Sequence, residues 1–247
     1  AIVGENGAGK TTLMNIISGV LKPDDGDILL NNKKIEVNNP KQALSFGITM
    51  VYQEISLAPT LSVAENIFID QLPKIRSSFL LDWRKLVDSA RKILNFINLN
   101  IDPLIKCSKL SIGQQQMIQL ARAIARDSKI VILDEPTASL TDYDIKILFD
   151  VIKKFKKSNK LVIYISHRLE EIFNVADRVT VLKDGEKICT LNIQDTNKDV
   201  IISKMVGRDL KFMFPSRKVN LGDVVLKVQD LNKSGMFSDV NFELRKG

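Results

Sequence analysis

The chain has 247 residues, 45% of them hydrophobic, and a formal net charge of +7, which is enough to bury a sizeable core in one or two domains. No apolar run approaches the ~20 residues that a membrane-spanning helix needs. Cys107 and Cys189 are isolated and His167 is the only histidine, which excludes a Cys/His zinc site and suits a reducing cytoplasm.

The first element in chain order is a glycine-rich loop, "AIVGENGAGKTTLMNIISGV". Gly4, Gly9, Lys10 and Thr11 satisfy the spacing of a phosphate-binding loop. Glycines at Gly4, Gly7 and Gly9 let the backbone curl so that its N–H groups form a nest for phosphate oxygens. The run from Lys10 to Ser18 then opens a helix whose positive end faces the same anion. Lys10 is expected to reach the β- and γ-phosphates, and the Thr11 hydroxyl to ligate magnesium. Such a loop ordinarily follows a buried strand, so further fold is expected upstream of Ala1.

"DILLNNKKIEV" reads as a hairpin around Asn31-Asn32. "GITMVYQE" is a short apolar strand that ends in polar residues; the Gln53 amide there can coordinate magnesium or the attacking water. From Ser62 to Asn100 the pattern turns helical, with Leu86, Val87, Ala90, Ile93, Leu94 and Ile97 on one face. In "LSIGQQQMIQLARAIA", Ser111 and Gly113 stand just before a helix that carries Met117, Leu120, Ala121, Ile124 and Ala125 on one side. A serine hydroxyl and glycine N–H groups at a helix start form a second anion site, while a simply capped helix fits the local sequence equally well. If two copies meet head to tail, each serine loop covers the phosphates held by the other.

"KIVILDEP" and "KLVIYISH" are continuous apolar runs, as central parallel strands require. The first closes on Asp134 and Glu135, at the carboxyl edge where open α/β sheets bind ligands. Asp134 is expected to hold magnesium, directly or through water, opposite Thr11. Glu135 is suitably placed to orient or deprotonate an attacking water, and Pro136 ends the strand. His167 ends the second run. It either hydrogen-bonds the γ-phosphate or caps the next helix beside Ser166, and its place one strand along from Asp134 and Glu135 favours the phosphate. "KKFKK" at 153–157 reads as the solvated face and end of a helix. "RVTVLKDGEKICTL" is a hairpin turning at Asp184-Gly185. Residues 207–222 lose periodicity and read as a linker, and a strand pair begins near Val224.

Taken together, these motifs resemble the ATP-binding cassette (ABC) ATPases over residues 1 to about 206. The resemblance implies an α/β fold: a P-loop NTPase core with a mostly parallel sheet, an antiparallel β portion and an inserted helical subdomain at about 60–122. Walker A is Gly4 to Thr11, and the nucleotide-binding set becomes Gly4, Asn6, Gly7, Ala8, Gly9, Lys10, Thr11 and Thr12 together with Gln53, Ser111, Gly113 and Gln114. Walker B is Ile130 to Asp134, "LSIGQ" is the signature, "ASLT" at 138–141 looks like the D-loop, and His167 looks like the switch histidine. Glu135 and His167 are the expected catalytic pair, with Thr11, Gln53 and Asp134 as magnesium ligands. Ile112 stands where the commonest signature has glycine.

Within that family, "VYQE", "LSVAENIFI", "YISHRLEEIF", "VTVLKDGE" and "MVGRDLKFMFP" resemble the energising subunit of the monosaccharide importers of the ribose/galactose/xylose type. Those proteins carry two cassettes in one chain and drive a membrane permease fed by a sugar-binding protein. Importers of nucleosides or autoinducer have similar ATPases, and a soluble cassette ATPase acting on ribosomes or DNA is the rival reading. The resemblance implies ATP and Mg2+ as cofactors, permease subunits as partners, a place at the cytoplasmic face of the membrane, and no nucleic acid. Residues 223–247 look like the strands that lead into a second cassette, so the chain is expected to be a window from a longer protein. The aromatic residue that stacks on adenine would lie upstream of Ala1, with Phe237 as its counterpart in the second cassette. Strands at 224–231 and 237–244 are expected to add to the core, to exchange between molecules, or to stay poorly ordered.

Overall fold

A computed structural model describes residues 1–75, 80–207 and 222–246, in two units, Ala1–Gly207 and Arg208–Gly247. The first unit is built on a six-stranded sheet. Its strands are β1 (Ile2–Val3), β4 (Ile48–Val51), β5 (Ile130–Asp134), β6 (Leu161–Ile165), β7 (Arg178–Lys183) and β8 (Glu186–Asn192), following β2 (Ile28–Leu30) and β3 (Lys33–Ile35), which form a separate hairpin. The order across the sheet is β4-β5-β6-β1-β7-β8. All neighbours are parallel except β8, which returns antiparallel to β7. The β2–β3 turn places Asn31 and Asn32 at φ 52° and 61°, and the β7–β8 turn places Asp184 and Gly185 at φ 49° and 83°. Left-handed pairs of this kind match the twist of two-residue hairpins.

Helices cover both faces. Helix α1 (Lys10–Ile17) and α2 (Pro40–Ser45) serve one face, with Asn39 capping α2 ahead of Pro40. Met14, Ala43, Met50, Ile132 and Ile165 form the cluster there. On the other face, Val51, Val131, Leu133 and Tyr164 meet the remaining helices. Ile132 points one way and its neighbours Val131 and Leu133 the other, so β5 is buried on both faces.

Helices α3 (Val63–Ile67), α4 (Trp83–Phe96) and α5 (Ile112–Ala125) pack on one another. The continuous helical pattern expected over Ser62–Asn100 is broken: among the described residues, the stretch between α3 and α4 includes an antiparallel bridge from Lys74 to Leu81. Within α4 the expected face holds, since Leu86, Ala90, Leu94 and Ile97 are buried. Helix α6 (Asp142–Lys157) starts on a Thr141–Asp144 capping box and ends in lysines. Both ends suit the helix dipole. Lys154 donates to the Phe96 carbonyl at 2.7 Å and Lys156 pairs with Asp177 at 2.6 Å, so "KKFKK" is a solvated helix end. Helices α7 (Leu169–Val175) and α8 (Lys198–Val206) complete the unit, and Gly207 closes α8 at φ 77°.

In the second unit, β9 (Val224–Lys233) pairs antiparallel with β10 (Phe237–Arg245) in a sheet of two strands. Of the three outcomes expected for these strands, addition to the core sheet is corrected: they pair with each other in a sheet of their own. Of the expected linker, 208–221 lie outside the described residues.

Candidate functional site

Strand register brings the polar residues together. Val51 pairs with Leu133, Leu133 with Tyr164, and Asp134 with Ile165, which also neighbours Ile2 of β1. Gly4, Gln53, Glu135 and His167 therefore all emerge just past the carboxyl ends of four adjacent parallel strands. This is the edge at which such sheets bind ligands.

The loop after β1 is tightly constrained. A Cβ at Gly4 would come within 2.4 Å of the Leu182 carbonyl oxygen, and Gly9 takes φ 90° as the N-cap of α1. Having no side chain, Gly9 leaves the first-turn amides of α1 facing outward, where an anion is favoured. The Lys10 ammonium donates to the carbonyls of Gly4 at 2.9 Å and Glu5 at 3.0 Å. One fixed cation thus lies against the loop. Ala8 is buried, whereas Asn6, Gly7, Thr11 and Thr12 are exposed along the loop and the first turn.

Asp134 is 2% exposed. Burial pushes its carboxyl above the usual range, the Thr11 hydroxyl and the Lys10 charge pull it back, and neighbouring Glu135 adds to the rise. A carboxylate beside a hydroxyl is a hard-oxygen donor set of the kind that suits Mg2+, which takes one or two carboxylates and completes its shell with phosphates. No cluster of three or more His, Cys, Asp or Glu able to hold a metal exists among the described residues.

Glu135 lies at φ 45°, a left-handed conformation that costs a non-glycine residue about 1–2 kcal/mol. Its N–H donates to the Ile165 carbonyl at 3.0 Å. The Gln53 amide donates to one carboxylate oxygen at 3.4 Å, and His167 Nδ1 lies 3.4 Å from the other. The structure brings these three predicted residues together. His167 is not the cap of α7: Arg168 occupies that position, and its N–H is taken by the Ser166 hydroxyl at 3.0 Å.

At the start of α5, Ser111 makes a capping box with Gln114: the Gln114 N–H donates to the Ser111 hydroxyl at 3.3 Å, and the Gln114 side chain accepts from the Ser111 N–H at 3.0 Å. The local cap reading describes this geometry. A Cβ at Gly113 would sit 3.1 Å from the Ser139 carbonyl, which brings the signature turn against the segment after Glu135. Among the described residues, no hydrogen bond or ion pair joins Ser111, Gly113 or Gln114 to the Gly4–Thr12 loop.

Several residues of the site were not anticipated from sequence. Further along α5, Gln119 donates to the Glu54 carbonyl at 3.2 Å and Arg122 to those of Ser56 at 3.1 Å and Asn66 at 2.8 Å. The segment after Gln53 is therefore held by the helix that begins at the signature. Spacing three apart on the inward face of α5 was the available signal. Glu171 of α7, 5% exposed, accepts from Thr137, Tyr164 and Ser166. Its position five residues beyond Ser166 carried no signal in the sequence.

A parallel α/β sheet with a glycine loop entering a helix at its carboxyl edge, and an acidic pair on the adjoining strand, defines the P-loop nucleoside-triphosphate-binding class. The chain belongs to the ABC transporter family, whose sequence profile matches residues 1–138. It is 42% identical over 247 residues to the ribose import ATP-binding protein of Geobacillus kaustophilus, covering all of this chain and 50% of that protein. Identity to the galactose/methyl galactoside import ATP-binding protein of Clostridium tetani is 43% over 253 aligned residues, with the same coverages. The chain spans about half the length of the curated relatives it matches.

Among solved structures, the fold is similar to a nucleotide-free ATP-binding cassette of an ABC transporter, with a TM-score of 0.70, 25% identity and 87% of each chain covered. It is also similar to a dimeric post-hydrolysis cassette bound to ADP and Pi, with a TM-score of 0.66, 26% identity, and 78% of this chain and 84% of that one covered.

Proposed function

We propose that the chain is the ATP-hydrolysing, energy-coupling part of an importer for a monosaccharide, using Mg-ATP. The observation that carries this reading is Glu135, one residue past buried Asp134 and flanked by Gln53 and His167 at the same sheet edge as the glycine loop. Mg2+ would be held by Thr11 and Asp134, with Gln53 beside them, and would neutralise phosphate charge. The loop amides and Lys10 bind and orient the phosphates. Glu135 takes a proton from the attacking water, and Gln53 and His167 hold its carboxylate in position.

Because the Ser111 hydroxyl oxygen accepts within its cap, its proton is left to donate to an anion. Ser111, Gly113 and Gln114 then serve the nucleotide held by a partner cassette in the same full-length protein. Relatives named for ribose and galactose import support a sugar as cargo. The further partners are permease subunits and, through them, a sugar-binding protein, with the cassette peripheral at the cytoplasmic face of the membrane. No nucleic acid is involved. No helix among the described residues is long and apolar enough to cross a membrane. A cleft of about 470 Å3, lined by Leu44, Met50, Tyr52, Asp70 and Arg126, offers the permease a docking surface.

In the full-length protein, Glu135→Gln should preserve ATP binding and slow hydrolysis by roughly 10²- to 10⁴-fold. Near-normal turnover would make Glu135 structural and overturn the mechanism. The cargo is tested in the reconstituted complex: ATPase activity should rise with a ribose- or galactose-loaded binding protein, and no response to either removes the sugar assignment.

A further inference from the structure

We propose that Glu171 is a positioning residue: its buried carboxylate ties the turn after Glu135 to the loop that carries His167, and so sets the spacing between those two side chains. The inference rests on the catalytic reading of Glu135 and His167 above.

Three hydroxyls converge on this carboxylate, one from the turn after β5, one from β6 and one from the loop that follows it. Thr137, two residues past Glu135, donates to Oε1 at 2.8 Å; Tyr164 and Ser166 donate to Oε2 at 2.9 and 2.7 Å. Ser166 immediately precedes His167, and its oxygen also accepts the Arg168 N–H at 3.0 Å, so its proton is committed to Glu171. Burial and the Glu171 charge push the Tyr164 hydroxyl far above its ordinary range, which keeps it a donor. Arg168 Nη1 lies 3.7 Å from Oε1, with its side chain half exposed. An ionised carboxylate is acceptor-only, so it satisfies all three donors at once and fixes both loops to one point. On the other side, the Glu135 N–H donates to the Ile165 carbonyl.

Without the carboxylate, Glu135, already in a left-handed conformation, loses the anchor two residues downstream. His167, whose side chain is 58% exposed, has little packing of its own to hold it. A misplacement of this order costs catalysis rather than binding.

The test is a cycle in the full-length protein, with kcat, KM and ATP affinity read separately. Thr137→Val and Ser166→Ala each cut one tether, and each should lower kcat about tenfold, with ATP affinity within about twofold of the parent. Thr137 joins the carboxylate to the turn after Glu135 and Ser166 joins it to the residue before His167, while Tyr164 holds it only to β6. Either cut therefore breaks the link between the two side chains, and the double variant should be no slower than the slower single, a non-additivity expected only of groups acting as a unit. Glu171→Gln, which turns an amide donor toward one of the hydroxyls, should reproduce the double. If Glu171→Gln does not fold, the other two variants decide. Unchanged kcat with a lowered melting temperature, or losses that multiply in the double, would overturn the proposal. Full turnover in Glu135→Gln would instead overturn the catalytic reading on which it rests.

Discussion

At the scale of single residues, two charges dominate the site and pull stability in opposite directions. Lys10 offsets its burial by donating to two loop carbonyls, so the loop carries a cation poised for an anion. Lys10→Ala should weaken ATP binding by about 10²-fold, the equivalent of a charged hydrogen bond of roughly 3 kcal/mol. Titration with a fluorescent ATP analogue checks it, and unchanged affinity would remove the loop assignment. Asp134 is the reverse case, because burial raises its carboxyl above the unfolded value. A raised carboxyl binds its proton more tightly when folded, so stability is lost as pH rises through the carboxylate range into the folded value. Asp134→Asn should therefore raise the melting temperature of the nucleotide-free protein while reducing the further rise on adding Mg-ATP. Thermal scans with and without Mg-ATP read both effects, and a variant that melts lower without ligand would contradict the burial argument.

At the scale of elements, α5 does more than present a signature turn. Asn66 is fully buried; its side-chain oxygen accepts the Ala58 N–H at 2.9 Å and Arg122 Nη2 at 3.1 Å. The segment after Gln53, α3 and α5 thus share one polar knot inside the helical part. Asn66→Ala leaves buried partners unpaired and should cost about 2–4 kcal/mol, seen as a shift in the denaturant midpoint with unchanged slope. A change under roughly 0.5 kcal/mol, typical of a surface site, would mean that water replaces the side chain.

At the scale of the whole molecule, the terminal hairpin is the feature most open to test. Sequence pattern leaves its strands to add to the core sheet, to exchange between molecules or to stay poorly ordered, and β9 and β10 pair with each other. Deleting residues 223–247 should leave the melting temperature of the remaining unit within about 1 °C, well below the 2–4 °C that 1 kcal/mol produces at this size. A larger drop would show that the hairpin supports the first unit after all.

What the sequence determined by itself is local or periodic. The glycine loop, the buried apolar runs of β5 and β6, the Asn31-Asn32 and Asp184-Gly185 turns and the inner face of α4 were all legible, because each depends on residues near one another in the chain. The acidic pair was legible too, since a strand's end is marked by its own last apolar residue. Only the tertiary structure decided which ends meet. The Val51–Leu133 and Asp134–Ile165 registers set Gln53 and His167 on either side of Glu135. Partners 82 and 32 positions apart leave no trace in local spacing. The same holds for Glu171, whose burial among three hydroxyls follows from where α7 packs. A buried carboxylate is tolerated only when its lone pairs are filled, and the groups that fill them come from two different strands and their loops.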